Sequence, residues 1–325
     1  MNNFLDPAIL FFVFGVAAGL LKSNLEIPQQ VTRFLSLYLL MALGLKGGFA
    51  LHNSGITSEI SLILGSAILL AVLIPLLSYF LLSHSLNKLD AAAIAATYGS
   101  ISAVTFITAS QTLDQAGIAY GGYMAAAMAL MESPAIILAI VLANKARVST
   151  STNPKEGKPL LSILHESFTD GGQILLLGSM LVGYLSGDAG HKGMAPFSID
   201  LFKGMLSFFL LDMGLQAAKS FGYLKNTPKI TILYGLVAPF IHASIALMLS
   251  KLLGFGVGET ILLMVLAASA SYIAVPAVLR HALPEVKPAL YMGMSLGITF
   301  PLNILIGIPT YTYLAKYFVA GAIIR

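Results

Sequence analysis

"ATYGSISAVTF", Ala96 to Phe106, places a Gly, two Ser and two Thr beside a Tyr, between two stretches that read as membrane-buried helix. Lipid offers backbone and hydroxyl groups no hydrogen-bond partner, so irregular backbone at that depth must face protein or a water-filled cavity. A second stretch answers it. "AATYGSISAV" (Ala95–Val104) lines up with "AASASYIAVP" (Ala267–Pro276), and both interrupt apolar sequence with small hydroxyl residues. The pair predicts two broken helices, at Tyr98-Gly99-Ser100-Ile101-Ser102 and at Ser269-Ala270-Ser271-Tyr272 with Pro276 just beyond.

The rest of the chain agrees with a membrane setting. Of 325 residues, 57% are apolar and 10% charged, with a mean hydropathy of +0.87. Soluble domains carry roughly 25% charged residues, so an all-α integral membrane protein is expected. Apolar stretches lie near 8–22, 33–51, 59–83, 90–112, 118–144, 171–186, 197–221, 229–253, 259–281 and 288–320. Several reach the roughly 20 residues a bilayer crossing needs. The absence of Cys excludes disulfide frameworks and thiolate metal sites. The net charge of +4 reads as membrane-flanking Lys and Arg, which gives no reason to expect nucleic acid. The first stretch, with no basic start or cleavage site, reads as a membrane helix and not a removed signal peptide.

Two further matches keep nearly the same offset between the halves. "LSLYLLMALGLKGG" (Leu35–Gly48) aligns with "MLSFFLLDMGLQAA" (Met205–Ala218), matching Gly44 to Gly214, and "MESPAIILAI" (Met131–Ile140) aligns with "ITFPLNILIG" (Ile298–Gly307). The expected fold is therefore about ten transmembrane helices in a 5+5 inverted repeat, with spans 4 and 9 broken. Residues 1–144 form the first repeat, 145–170 a cytoplasmic linker and 171–325 the second repeat. An outside N-terminus puts twelve Lys and Arg on the cytoplasmic side against five outside, with Lys46 inside a span. That bias predicts periplasmic or extracellular termini, in a multi-pass protein of the cell inner (plasma) membrane.

Inverted repeats with broken helices at the midplane are the pattern of secondary transporters. Half-helix N-termini offer N–H groups to an anion, and the hydroxyls of Ser100, Ser102, Thr105, Ser269 and Ser271 would complete a cage. Small residues also serve plain helix packing; the paired placement of the two clusters favours a site. Four ionisable residues fall within spans: Lys46, Glu132, Asp212 and His242. Buried charge in a membrane marks function by default, so Glu132 is a candidate for cation coordination or proton relay. Lys46 and Asp212, on the aligned segments of the two halves, are candidates for an ion pair; His242 reads as a packing residue. No HExxH or paired-carboxylate motif argues for an enzyme, and no tightly bound cofactor is expected.

The chain resembles the sodium-dependent bicarbonate transporter family of SbtA-like permeases. "GLKGGFAL" (Gly44–Leu51), "YGSISAVT" (Tyr98–Thr105), "MESPA" (Met131–Ala135), "YGLVAPFIHASIA" (Tyr234–Ala246) and "AASASYIAVPAVLR" (Ala267–Arg280) carry the resemblance. It implies a core domain moving against a gate domain, each formed from parts of both repeats. It also implies bicarbonate as substrate, Na+ as coupling ion, a homotrimer, and a PII-like regulatory protein at the cytoplasmic face. The matching positions are Gly99, Ser102, Thr105, Ser269 and Ser271, and Glu132 keeps its acidic character. The departures are an acidic residue replaced by Tyr272, serines replaced by Val104 and Ala274, charged Lys46 and Asp212 in place of neutral residues, and a shorter linker. One consequence is an alternative reading. In it a small organic carboxylate or other monovalent anion moves without sodium or with protons, and Lys46 supplies the fixed positive charge.

Overall fold

The computed structural model describes residues 6–55, 57–148, 171–283 and 285–319, and contains helices but no strand among them. In chain order these are α1 (Pro7–Leu20), α2 (Gln29–Ser54), α3 (Ser58–Leu82), α4 (Lys88–Gly99), α5 (Ala103–Gln115), α6 (Met124–Val148), α7 (Gly171–Ala195), α8 (Phe202–Ser220), α9 (Lys229–Leu253), α10 (Val257–Ala268), α11 (Ala274–Ala282) and the helical run α12 (Pro288–Val319). Nearly all of the linker expected at 145–170 lies outside the described residues. Among the described residues six helical stretches are long and apolar enough to cross a membrane, so the chain is a multi-pass membrane protein. The first apolar stretch yields only 14 helical residues, about 21 Å at 1.5 Å per residue, which is short of a ~30 Å hydrocarbon core.

Both expected breaks are present. α4 stops at Gly99 and α5 starts at Ala103, with Ser100 and Ser102 in extended backbone. α10 stops at Ala268 and α11 starts at Ala274. The stretch near 171–186 runs further than its apolar content suggested, because α7 continues to Ala195 across a kink at Gly187, whose φ of 53° suits glycine.

Two close helix pairs flank the broken helices: α1 lies along α8, and α2 along α7. Their contacts advance in the same direction on both partners, Gly15 meeting Leu211 and Gly19 meeting Leu215, Gly44 meeting Leu176 and Gly48 meeting Met180. Each pair therefore runs parallel. Gly44 and Gly214, matched between the halves, each sit at a close approach in their pair. A Cβ at Gly44 would collide with the Leu176 carbonyl oxygen, and one at Gly214 with that of Phe12. Without a hydrophobic drive between helices in lipid, such close packing is what binds them.

Candidate functional site

The two breaks cross and bond to each other. The Ser102 N–H donates to Ser269 Oγ at 3.0 Å, and the Ser271 N–H donates to the Thr97 carbonyl at 2.8 Å. Thr97 and Ser269 are matched positions in the two halves, so each break accepts an N–H from the other at the same place in its motif. Those bonds satisfy backbone groups that unwinding leaves without helical partners, which is why the breaks tolerate burial.

Each break also starts a half-helix with a hydroxyl cap. Ser102 Oγ accepts from the Thr105 N–H at 3.2 Å and from the Thr105 hydroxyl at 2.9 Å. Ser271 Oγ accepts from the Val275 N–H at 3.2 Å. Ser269 Oγ donates back to the Leu266 carbonyl at 2.9 Å. Below the crossing, Asn303 donates to the Ala268 carbonyl at 2.8 Å and accepts from the Tyr311 hydroxyl at 2.8 Å. This ties the end of α10 to α12.

A cavity of about 230 Å³ reaches the crossing, lined there by Ser102, Ala103, Ser271, Tyr272 and Ala274. The N-termini of α5 and α11 thus face one volume, and their positive dipole ends reinforce each other toward an anion. The cavity is below the roughly 300 Å³ at which pockets for drug-sized ligands begin. Its far wall carries Arg33, Ser36, Leu37 and Leu40 of α2, with Glu132 and Gln173. A second cavity, about 610 Å³, touches the crossing only at Tyr272 and Ile273 and shares Arg33 and Ser36.

The other named residues fall as follows. Gly99 packs against the Pro75 ring, where a Cβ would stand 2.6 Å from it. Ser100 is buried and its hydroxyl has no partner, yet it does not line the cavity. Thr105 is fully buried behind Ser102. Tyr272 stacks edge-on against Phe300 at 5.2 Å; Ser102 lies beside its hydroxyl, but no hydrogen bond of good geometry reaches it. Glu132 accepts from the Gln173 side chain at 2.5 Å in the cavity wall. His242 is buried against the rings of Tyr98 and Tyr234, at 6.4 Å from each. Among the described residues no group of three or more His, Asp or Glu is placed to hold a metal ion.

The expected ion pair between Lys46 and Asp212 does not form. Lys46 pairs with Asp114 and donates to the Tyr120 hydroxyl at 2.8 Å. Asp212 accepts from Thr32 at 2.7 Å and from Gln216 at 2.8 Å. The α2 residue that bonds to Asp212 is Thr32, in the first turn of α2, and not Lys46, which lies 14 residues further along. Asp114 is 12 residues beyond Ser102 along α5, about 18 Å by helix rise. Lys46 is therefore too distant to supply the positive charge at the crossing. Arg33 is the cation that lines both cavities beside Tyr272. It reads in the sequence as one more membrane-flanking charge, although Arg33, Ser36, Leu37 and Leu40 fall at the 3, 4 and 7 spacing of one helix face.

A family model described as the Na+-dependent bicarbonate transporter superfamily matches residues 7–316. No curated protein matches the chain.

Proposed function

The chain belongs to the Na+-dependent bicarbonate transporter superfamily, and from that premise we propose that it imports bicarbonate, coupled to sodium, by alternating access. Membership in a transporter family makes it a transporter and not an enzyme. The observation that carries the substrate reading is the meeting of two hydroxyl-capped helix N-termini at one small cavity. A monovalent oxyanion there accepts from backbone N–H and Ser hydroxyl groups without a full charge buried opposite it. Gly99, Ser100, Ser102, Thr105, Ser269, Ser271 and Tyr272 form the site in this reading. Ser102 and Ser271 touch the anion, and the others hold the crossing.

Sodium, as co-substrate, falls to the opposite dipole ends. α4 and α10 end at the same crossing, and their last carbonyls present partial negative charge. Neither break contains an acidic residue, so sodium is held by carbonyl and hydroxyl oxygens, the hard ligands that suit it. Glu132 is the carboxylate in the cavity wall. Acetate is as small as bicarbonate, so competition and not cavity size separates the organic-carboxylate alternative: excess acetate should leave labelled bicarbonate uptake nearly unchanged.

The same reading takes the fold as a 5+5 inverted repeat, supported by the parallel α1–α8 and α2–α7 pairs and their matched glycines. The broken helices belong to a core that moves against a gate containing α2. Termini on the periplasmic side of the inner membrane, from the Lys and Arg bias, and a homotrimer in lipid with a PII-like partner at the cytoplasmic face, from the family resemblance, complete it.

The test is labelled bicarbonate uptake into proteoliposomes, with sodium and pH gradients set independently. Saturable uptake that follows the inward sodium gradient is expected. Uptake indifferent to sodium contradicts the coupling, and flux that never saturates contradicts a carrier. In the same assay Arg33→Gln should lower uptake about three- to tenfold at low salt. The loss should shrink as ionic strength rises, since the exposed guanidinium acts over a distance that salt screens. Arg33→Lys should restore most of it.

A further inference from the structure

The face of α2 that carries Arg33, Ser36, Leu37 and Leu40 continues toward its other end as Leu43, Lys46, Gly47 and Ala50. The first four line the cavity that reaches the crossing. The last four line a separate cavity of about 160 Å³ opening at the opposite end, and a larger one of about 410 Å³ adjoins it. Leu43 and Phe106, which wall the cavity of about 160 Å³, are buried, as are Leu39, a turn before Leu43, and Ile107, next to Phe106. The crossing is therefore reached by the cavity on the Arg33 side and not by those on the Lys46 side.

At the Lys46 side that residue is the charged contact of α2 with the helices that carry the site, beside the close packing of Gly47 and Ala50 on Gly122. The Lys46 ammonium pairs with Asp114 in the last turn of α5. It also donates to the Tyr120 hydroxyl at 2.8 Å and stands 5.1 Å over that ring. Tyr120 is held in turn, because the next residue's N–H, that of Gly121, donates to Glu259 at the start of α10 at 2.7 Å. Lys46 thus joins α2 to a body made of α5, its following connector and α10. The Lys46 and Asp114 side chains keep 42% and 36% of their exposure, so water competes for both partners. A pair in that setting is weak enough to break and reform. A flexible lysine stem lets the ammonium exchange a carboxylate for water without moving the helix.

We infer that Lys46, Asp114 and Tyr120 form the latch that closes the outer side of the route, and that it must open before the crossing can face outward. This rests on the alternating-access reading above. Lys46 is then a gating residue remote from the anion, and its substitution shifts the balance of the two conformations.

The chain has no cysteine, so a single reporter reads accessibility without background. Leu40→Cys, in the cavity that reaches the crossing, is labelled with a membrane-impermeant maleimide from the outside and, in inverted vesicles, from the inside. Slow outside labelling is expected with the latch intact. Lys46→Ala should speed it about tenfold and slow inside labelling, and Asp114→Asn should act in the same direction. The exchange Lys46→Asp with Asp114→Lys should restore the slow rate, which a merely misfolded variant does not do. Outside labelling no faster in Lys46→Ala than in its parent overturns the latch, while sodium-driven uptake by the parent leaves the transport reading standing. A reporter never labelled from outside in any variant during turnover overturns alternating access and the latch with it.

Discussion

Ser102→Asp should abolish bicarbonate uptake, by at least about 100-fold, while leaving the helix crossing folded. Aspartate caps a helix N-terminus as well as serine does, and its carboxylate can accept the bonds Ser102 Oγ now takes from the Thr105 N–H and hydroxyl. The fold therefore has little reason to change. The site does. A fixed negative charge at the shared positive end of α5 and α11 occupies the place of the anion and repels it. Two such charges about 4 Å apart at an effective dielectric near 20 repel by roughly 4 kcal/mol. Ser102→Asn, an equally good cap without the charge, should keep most of the activity. Thermal unfolding and trypsin resistance of the purified variants separate loss of site from loss of fold. If Ser102→Asp transports like the parent, Ser102 is not at the anion.

The second large effect is structural. Gly44→Ala and Gly214→Ala should each destabilise the protein by about 1–3 kcal/mol, the usual range for overpacking a tight contact. Each new methyl meets a backbone carbonyl, of Leu176 or of Phe12, and not the yielding end of a side chain. Relief requires the helix pair to separate, and in lipid that loses the packing that holds the pair. The α1–α8 and α2–α7 pairs are different contacts, so the double variant should lose close to the sum of the two. Thermal melts in detergent measure this. A tolerated Gly44→Ala beside a disruptive Gly214→Ala would mean that the matched glycines do different jobs in the two halves.

Much of this was legible in the sequence. The breaks were readable because hydroxyl and glycine clusters are costly in lipid unless backbone groups are being re-satisfied, and the Ser102–Ser269 and Ser271–Thr97 bonds do that. Gly44 and Gly214 were readable as a match, and the structure adds the partner each one packs against. The ends of helices were less legible. α7 outruns its apolar stretch because the residues after Gly187 are helical but polar, and hydropathy sees only lipid contact. The partner of Lys46 was hidden because Asp114 sits 68 residues away at the polar end of α5, where a carboxylate looks like an ordinary surface charge. Repeat symmetry pointed instead to Asp212, which Thr32 and Gln216 already satisfy. Arg33 was hidden for the reverse reason: charge bias explains a flanking arginine so well that its alignment with Ser36, Leu37 and Leu40 goes unremarked. The aromatic ring of Tyr272 packs on Phe300 where the resemblance leads one to expect an acid. The positive ends of the helices, more than any charged side chain, carry the anion reading.

The most direct test of that reading places one cysteine at the N-terminus of α5, as Ala103→Cys, in a chain that has no other. Ala103 lines the cavity at the crossing. Its alkylation is followed as bicarbonate is raised at constant ionic strength and pH, with sodium present. Protection that saturates at the concentrations that saturate uptake, and that Ser102→Asp removes, is the predicted result. Alkylation at an unchanged rate across that range, in protein that still takes up bicarbonate, would place the anion elsewhere and contradict the account.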